Sequence, residues 1–395
     1  MPEIDRIDFA YSLFADEYNK YGDEEIQAAV EVLQAGRLFF PLGRHVKRLE
    51  ERLADDFGVR TCTLVTSGTA AVHTALGAVG VSYGDEVITS PITDTGTVLP
   101  ILLQGAVPVF ADVDPTTFSI TAESIEPLIT NRTKAIVVVH LGGYPADVVP
   151  IMKLAESNDI MLIEDCAQAP WAFVANRRLG TIGHIGAFST NDTKHVSCGE
   201  GGFVVCRDAE VGRRAALFHD KGFDRASGIR NPALIGPNYR MTELQAAVLD
   251  KQWDKLPDRI ARRTAFARRL DGVLSTVPWV SPRAALRPGD ASSYFSYLFS
   301  VKPEAPTTRE YVCDALCRRG VPARNGNLYD VQYRLDMFHQ AKPGFLDQFP
   351  HPDYSTGLCP VAEATDDMTI RIEMLEIFDE KQVEAVKAVV CSLNQ

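Results

Sequence analysis

The segment Cys62-Thr63-Leu64-Val65-Thr66-Ser67-Gly68-Thr69-Ala70-Ala71 decides how the chain folds. Its first five residues are apolar or β-branched without alternation, which predicts a strand buried on both faces. A small, hydroxylated turn follows and opens onto a helical pattern running to Leu76. Strand, tight turn and helix in succession are one unit of an α/β sheet. The turn is also an anion site in outline. Leading N–H groups of a helix lack acceptors, the helix dipole adds partial positive charge, and serine and threonine hydroxyls complete the cradle. Taken alone, the same residues serve equally as an ordinary N-cap without a ligand.

The rhythm repeats on both sides. Upstream, Asp23 is the expected N-cap of a helix with Ile26, Ala29, Val30 and Leu33 on its apolar side and Gly36 as its stop. A second helix carries Val46, Leu49, Leu53 and Phe57 on one face and ends at Gly58. Downstream, residues 86–90, 107–113, 135–140 and 160–164 read as buried strands, so the sheet is expected to be mostly parallel. The runs 186–190 and 202–206 stand a short loop apart and predict hairpin-like or mixed pairing.

Helical periodicity then extends from Thr242 to about Leu270, with Pro257 expected to kink or break it. Arg259, Arg262, Arg263, Arg268 and Arg269 alternate with Asp254, Asp258 and Asp271, which predicts a solvated face rather than a nucleic-acid patch. Beyond it, an aromatic strand at 294–301 and helices at 308–319 and 379–393 describe a smaller α+β domain. Residues 325–356 have no clear period and read as a long, partly ordered loop. The expected division is an N-terminal arm (1–20), a large domain (21–255) and a small C-terminal domain (256–395), in keeping with a length of 395 residues.

Composition narrows the function. Hydrophobic residues make up 46% and charged residues 23%, which excludes a disordered or collagenous chain. A net charge of −12 opposes nucleic acid and anionic lipid as partners. The longest aliphatic run, 135–139, is too short to cross a bilayer, and the acidic N-terminus is unlike a signal peptide. A soluble, cytoplasmic protein is therefore expected. Eight cysteines without a C-x-x-C pair predict neither a disulfide scaffold nor a metal site; Cys62 and Cys206 lie in strand-like runs, as small hydrophobes do.

Two further segments carry chemistry. Ile163-Glu164-Asp165-Cys166-Ala167-Gln168 sets a carboxylate at the C-terminal end of a buried strand, where α/β sheets bind ligands; the alternative is a helix cap. Phe188-Ser189-Thr190-Asn191-Asp192-Thr193-Lys194, followed by Gly199-Glu200-Gly201-Gly202, holds a lysine that desolvation would make nucleophilic, against the ordinary alternative of a surface charge. Together with the 66–71 turn these supply what pyridoxal phosphate requires: an anchor for its phosphate, a partner for its ring nitrogen and an amine for a Schiff base. No G-x-G-x-x-G follows a strand, and neither a Walker A lysine nor H-E-x-x-H is present.

From about Gly36 to the C-terminus the chain resembles the DegT/DnrJ/EryC1/StrS sugar aminotransferases of the aspartate aminotransferase fold. The resemblance is carried by Ser67-Gly68-Thr69-Ala70, the run 105–114, Glu164-Asp165-Cys166-Ala167-Gln168, Phe188-Ser189 with Lys194, Gly199-Glu200-Gly201-Gly202 and Asn238-Tyr239-Arg240-Met241-Thr242-Glu243-Leu244-Gln245. It implies an α/β protein of fold type I among pyridoxal-phosphate-dependent transferases, with a mostly parallel, mixed central sheet and a smaller C-terminal α+β domain. It implies that Lys194 forms the Schiff base and moves protons, that Asp165 keeps the ring nitrogen protonated, and that Gln168 bonds the 3′ oxygen. Ser67, Gly68, Thr69 and Ser189 would hold the phosphate. Asn238 would reach the phosphate of a neighbouring subunit, hence a homodimer with a shared site, and Arg240 and His195 are expected at the substrate.

The implied reaction moves an amino group from glutamate or glutamine to a nucleotide-linked keto-sugar or a keto-cyclitol in sugar or natural-product biosynthesis. A lyase, dehydratase or epimerase on a related sugar, or a non-catalytic regulator of the same fold, is the alternative. Family dehydratases carry histidine at the position that Lys194 occupies, which favours transamination. Lys221, Arg225, Arg230 and Arg324 are candidates for a nucleotide's phosphates. One departure stands out: the family's Pro-aromatic-Thr-aromatic run is here Pro91-Ile92-Thr93-Asp94, so Asp94 meets the cofactor where a ring normally stacks. Trp171 is the nearest substitute ring in the sequence, with core packing as its plainer role.

Overall fold

In the computed structural model, which describes residues 18–225, 227–228, 231–284, 286–326 and 330–393, the seven expected strands form one sheet. They are β1 (Thr61–Val65), β2 (Glu86–Thr89), β3 (Val107–Phe110), β4 (Thr133–Val139), β5 (Met161–Asp165), β6 (Ile185–Ser189) and β7 (Gly202–Cys206). Their order is β1-β7-β6-β5-β4-β2-β3. All pairs are parallel except those of β7, which runs antiparallel to β1 and β6. Unbroken apolar runs fit because both faces are covered. Val65, Val87, Val137, Ile163 and Val204 pack under helices α3 (Gly68–Ala78) and α6 (Ala209–His219). Leu64, Ile88, Ile136, Val138 and Leu162 face the opposite layer with α2 (His45–Phe57) and α7 (Glu243–Leu274). Each such side chain contributes roughly 1.5–3 kcal/mol on burial.

A second, antiparallel sheet is built from β8 (Val280–Pro282), β9 (Ser296–Val301), β10 (Ala323–Asn325) and β11 (Thr369–Glu373), ordered β8-β9-β11-β10. Its apolar residues join the same core as the lower face of the large sheet. Helix α7 runs through the 255/256 division expected from the sequence and stays helical across Pro257. The bond lost at proline costs about 3 kcal/mol. Trp253, Leu256 and Ile260, buried on either side of it, more than offset that. Arg259 and Arg263 also depart from the solvated face expected of them: they are 8% and 1% exposed.

Helix α1 (Asp23–Ala35) corrects the reading twice. Its N-cap is Gly22 rather than Asp23, and the Glu25 carboxylate takes the Gly22 amide at 2.7 Å. The side turned to α7 is Glu25, Ala28 and Val32, with Ala247 and Leu244 opposite. Ile26, Val30 and Leu33 point outward at 61%, 43% and 57% exposure. The periodicity is compatible with either stripe, and small Ala28 permits the close approach that the outer stripe does not. Residues 327–329 lie outside those described; the rest of 325–356 is a packed strap of 3₁₀ turns whose Tyr333, Phe338 and Tyr354 surround Phe110 at 5.6–6.0 Å.

The N-terminus of α2 is held by one buried side chain. Glu243 accepts the amides of Arg44, His45 and Val46 at 2.8, 2.6 and 3.2 Å. Replacing Glu243 with alanine is expected to lower the unfolding free energy by on the order of 3 kcal/mol in a denaturant titration. Gly43→Ala should act in the same direction, because its Cβ would fall 2.0 Å from the Glu243 carboxylate carbon.

Candidate functional site

Parallel pairing of β2, β4, β5 and β6, and the two antiparallel pairs through β7 that turn β1 the same way, bring the C-terminal ends of these five strands to one edge of the sheet. At the end of β1, Ser67 caps α3: its Oγ accepts from Ala70 N at 3.0 Å and its carbonyl from Ala71 N at 3.0 Å. Among the described residues, nothing accepts from the amides of Gly68 and Thr69. Neighbouring segments crowd this turn. A Cβ on Gly68 would lie 2.7 Å from that of Ser189, at the end of β6, and one on Gly96 would lie 2.7 Å from Thr69 Oγ1 and 2.9 Å from Asp94 Oδ1. Ser67, Gly68, Thr69, Ser189 and Asp94 are thus brought together around two free, helix-leading amides.

Asp165 ends β5 and is 5% exposed. Its Oδ2 accepts from Thr97 Oγ1 at 2.7 Å, in turn bonded to Thr93 Oγ1 at 2.7 Å, and its Oδ1 accepts from Ala167 N at 3.0 Å. Burial pushes the carboxyl above the usual range, opposed by the Thr97 bond and reinforced by Asp94. The strand end is anchored by Glu164, whose oxygens take the amides of Gly180, Ile182 and Gly183 and the Nε2 of His140. Glu164, His140 and Cys166 lie close enough to suggest a metal centre. His140 Nδ1, however, already accepts from Ala146 N at 3.1 Å, so the group is a saturated structural knot.

Lys194 sits in a turn closed by its own amide on the Asn191 carbonyl at 2.9 Å. Among the described residues its Nζ has no hydrogen-bond acceptor; it rests 4.3 Å from the centre of the Phe295 ring, which enters from the small sheet. Desolvation pulls the amine below the ordinary lysine range, with Asp94 and then Asp165 opposing and Arg371 of β11 adding to the fall. Gln168 spends its Oε1 on the Gly142 amide at 2.7 Å, which leaves its amide nitrogen to donate.

The remaining candidates divide. Asp94 caps α4 (Thr95–Leu103) through a 2.7 Å bond from the Gly96 amide while its charge acts on both Asp165 and Lys194. Trp171 is packed between Arg178, 4.0 Å from its ring, and Trp253 at 6.2 Å, so it is core rather than a substitute stacking ring. His195, expected at the substrate, is fully buried, with its Nε2 bonded to the Ser293 carbonyl at 2.9 Å and its ring 6.0 Å from that of Phe295. Arg240 is spent on Asp220 at 2.6 Å, which also takes Arg225 at 2.6 Å. Asn238 is exposed and bridged to Asp220, without a contact to the Lys194 group. Lys221 is exposed, Arg324 pairs with Glu373 at 2.8 Å, and Arg230 lies outside the described residues. Sequence reasoning missed Thr97, Phe295 and Arg371. Thr97 stands three residues beyond Asp94 in the same turn and could have been found from that spacing; the other two come from a distant sheet with no local signal.

Two unused helix-leading amides suit a phosphate, a desolvated carboxylate lacks a cationic partner, and a desolvated amine lacks an acceptor. That set fits pyridoxal phosphate part by part. The description "DegT/DnrJ/EryC1/StrS aminotransferase family" belongs to the family model that matches residues 19–391. The L-glutamine:2-deoxy-scyllo-inosose aminotransferase of Streptomyces fradiae is 36% identical over 284 residues, covering 68% of this chain and 67% of that protein. GDP-perosamine synthase of Caulobacter vibrioides is 32% identical over 287 residues, 72% and 76% of the two chains. The X-ray structure of the aminotransferase from Psychrobacter cryohalolentis superposes with a TM-score of 0.86 at 28% identity, covering 95% of this chain and 98% of that one. The chain belongs to the DegT/DnrJ/EryC1/StrS aminotransferase family, and is an enzyme of fold type I whose cofactor is pyridoxal phosphate.

Proposed function

We propose that this enzyme transfers the amino group of L-glutamine or L-glutamate to a keto-cyclitol. The observation that carries the reading is the buried Lys194 amine, which has no hydrogen-bond acceptor among the described residues and feels the charges of Asp94 and Asp165. When bound, pyridoxal phosphate supplies an aldehyde that exchanges amines and a ring that takes up electrons. The protein does the rest. The amides of Gly68 and Thr69 with the hydroxyls of Ser67 and Ser189 would receive the phosphate, and Gln168 would donate to the ring's 3′ oxygen. Asp165, oriented by Thr97, would hold a proton on the ring nitrogen. The Lys194 amine, whose affinity for a proton desolvation lowers, would carry a proton to and from the reacting carbon. Lysine at this position favours transamination over dehydration.

Arg225 shares Asp220 with Arg240, and Arg324 shares Glu373 with Arg371, so each carboxylate is set against two cations. Charge therefore does not separate the two acceptors, and the keto-cyclitol reading leans on the Streptomyces fradiae relative, 36% identical and named for a cyclitol acceptor, over the Caulobacter one at 32%. We further infer a homodimer: the outward stripe Ile26, Val30 and Leu33 continues into Leu38, Phe39 and Leu42, all 43–64% exposed. Asn238 would reach the partner's phosphate. Eight unpaired cysteines support a reducing, cytoplasmic compartment. No helix among the described residues is long and apolar enough to cross a membrane.

Borohydride treatment of the cofactor-loaded protein should label the peptide containing Lys194. L-Glutamine should convert the cofactor band to the pyridoxamine form, and a keto-cyclitol should restore it; failure of Lys194→Ala to abolish both would refute the reading. Thr97→Val removes the 2.7 Å donor to Asp165. It should weaken cofactor binding about tenfold in an absorbance titration, with little change in the melting of the cofactor-free protein. Val30→Asp with Leu33→Asp should shift the sedimentation coefficient from dimer to monomer, whereas an unchanged value would remove α1 from the interface.

A further inference from the structure

Lys20 belongs to none of the motifs, yet it is buried against the turn that carries the reactive amine. Its Nζ donates to the carbonyl of Lys194 at 2.8 Å and to that of Asp192. Its own carbonyl accepts from Gln252 Nε2 at 2.7 Å and Arg259 Nη2 at 2.9 Å, while Arg259 Nη1 donates to the His195 carbonyl at 2.6 Å and to Gln252 Oε1 at 2.8 Å. Three carbonyls of the turn, at 192, 194 and 195, are therefore held by two buried cations that are themselves linked. The Tyr21 hydroxyl donates to Asp192 Oδ1 at 2.5 Å and lies 3.0 Å from Ser197 Oγ.

The same short segment reaches the small sheet. Tyr18 donates to Glu376, which also accepts from Arg263 Nε at 2.6 Å. Arg263 Nη1 in turn holds the carbonyls of Tyr294 and Phe295 at 3.1 and 3.4 Å. Phe295 is the ring against which the Lys194 amine lies. Residues 18–21 thus grip both the backbone that bears the amine and the surface on which it rests.

Such a link is costly. Burial pulls the Lys20 amine down to about 7, with Glu376 and Asp192 opposing and Arg263 and Arg259 assisting. An apolar side chain would fill the space without that desolvation. What a buried cation adds is direction, since two bonds from one nitrogen set the separation and tilt of two carbonyls. We propose that Lys20 is a positioning residue for Lys194, fixing the 192–195 turn so that the amine projects into the cleft beside Asp165. The inference rests on Lys194 being the reactive amine.

The test compares Lys20→Met and Lys20→Arg in the full chain loaded with pyridoxal phosphate. Lys20→Met should slow the single-turnover L-glutamine half-reaction about 10- to 100-fold, with half-saturation changed less than about twofold, because misplacement acts on the reacting geometry rather than on binding. In the cofactor-free protein, amide hydrogen exchange at 191–196 should accelerate while the strands of the large sheet keep wild-type protection. Lys20→Arg, which keeps a cationic donor, should recover part of the rate. Wild-type rate in Lys20→Met, or exchange accelerated throughout the sheet together with the turn, would overturn the proposal, the latter marking a merely structural staple. If Lys20→Met does not accumulate folded, Tyr21→Phe, which loses only the bonds from its hydroxyl, should show the same local acceleration, and its absence would count against the proposal. Absence of borohydride labelling at Lys194 in the wild-type protein would instead defeat the functional reading, while the exchange data would still report the hold of Lys20 on the turn.

Discussion

A lysine amine and an aspartate carboxylate share one desolvated cleft without bonding to each other, and the surrounding fold keeps them so. Burial shifts the Lys194 amine down and the Asp165 carboxyl up, disfavouring the charged form of each. Had the two been in direct contact, they would have formed a buried ion pair and consumed the reactivity of both. Their separation is set by strand topology: Asp165 ends β5 and the Lys194 turn follows β6, adjacent parallel strands of a rigid sheet.

Around that cleft the chain uses buried charge mainly to hold backbone. Glu243 collects three amides ahead of α2, and Glu164 collects three more behind β5. Lys20, Arg259 and Arg263 do the converse, collecting carbonyls. A loop cannot be fixed by side-chain packing alone because its peptide groups need partners, and an ionised side chain satisfies several at once.

Much of this was legible without coordinates. The seven apolar runs needed no context, since a strand covered on both faces must be continuously apolar wherever it lies. Lys194, Asp165 and the 66–71 turn stood out because each sits at the end of such a strand or within a few residues of it. The outward stripe of α1 was not: Ile26, Val30 and Leu33 have the right period for a core face, and a monomer's sequence does not distinguish apolar residues meant for its own interior from those meant for another surface. Arg259 and Arg263 misled in the opposite sense, since their acceptors are the carbonyls of residues 20, 195, 294 and 295, which have no sequence signature at all.

The sequence by itself determined the sheet, the order of its strands along the chain, and the three segments that converge at one edge of it, because these follow from local periodicity and from turns whose chemistry lies within a few residues. Tertiary structure alone decided what surrounds the reactive amine: Phe295 beneath it, Arg371 near it, Thr97 behind its partner carboxylate and Lys20 under its backbone. Those contacts join residues mostly tens to hundreds of positions apart. Their existence depends on how two sheets and one long helix pack, a property of the whole chain that no short window of it contains.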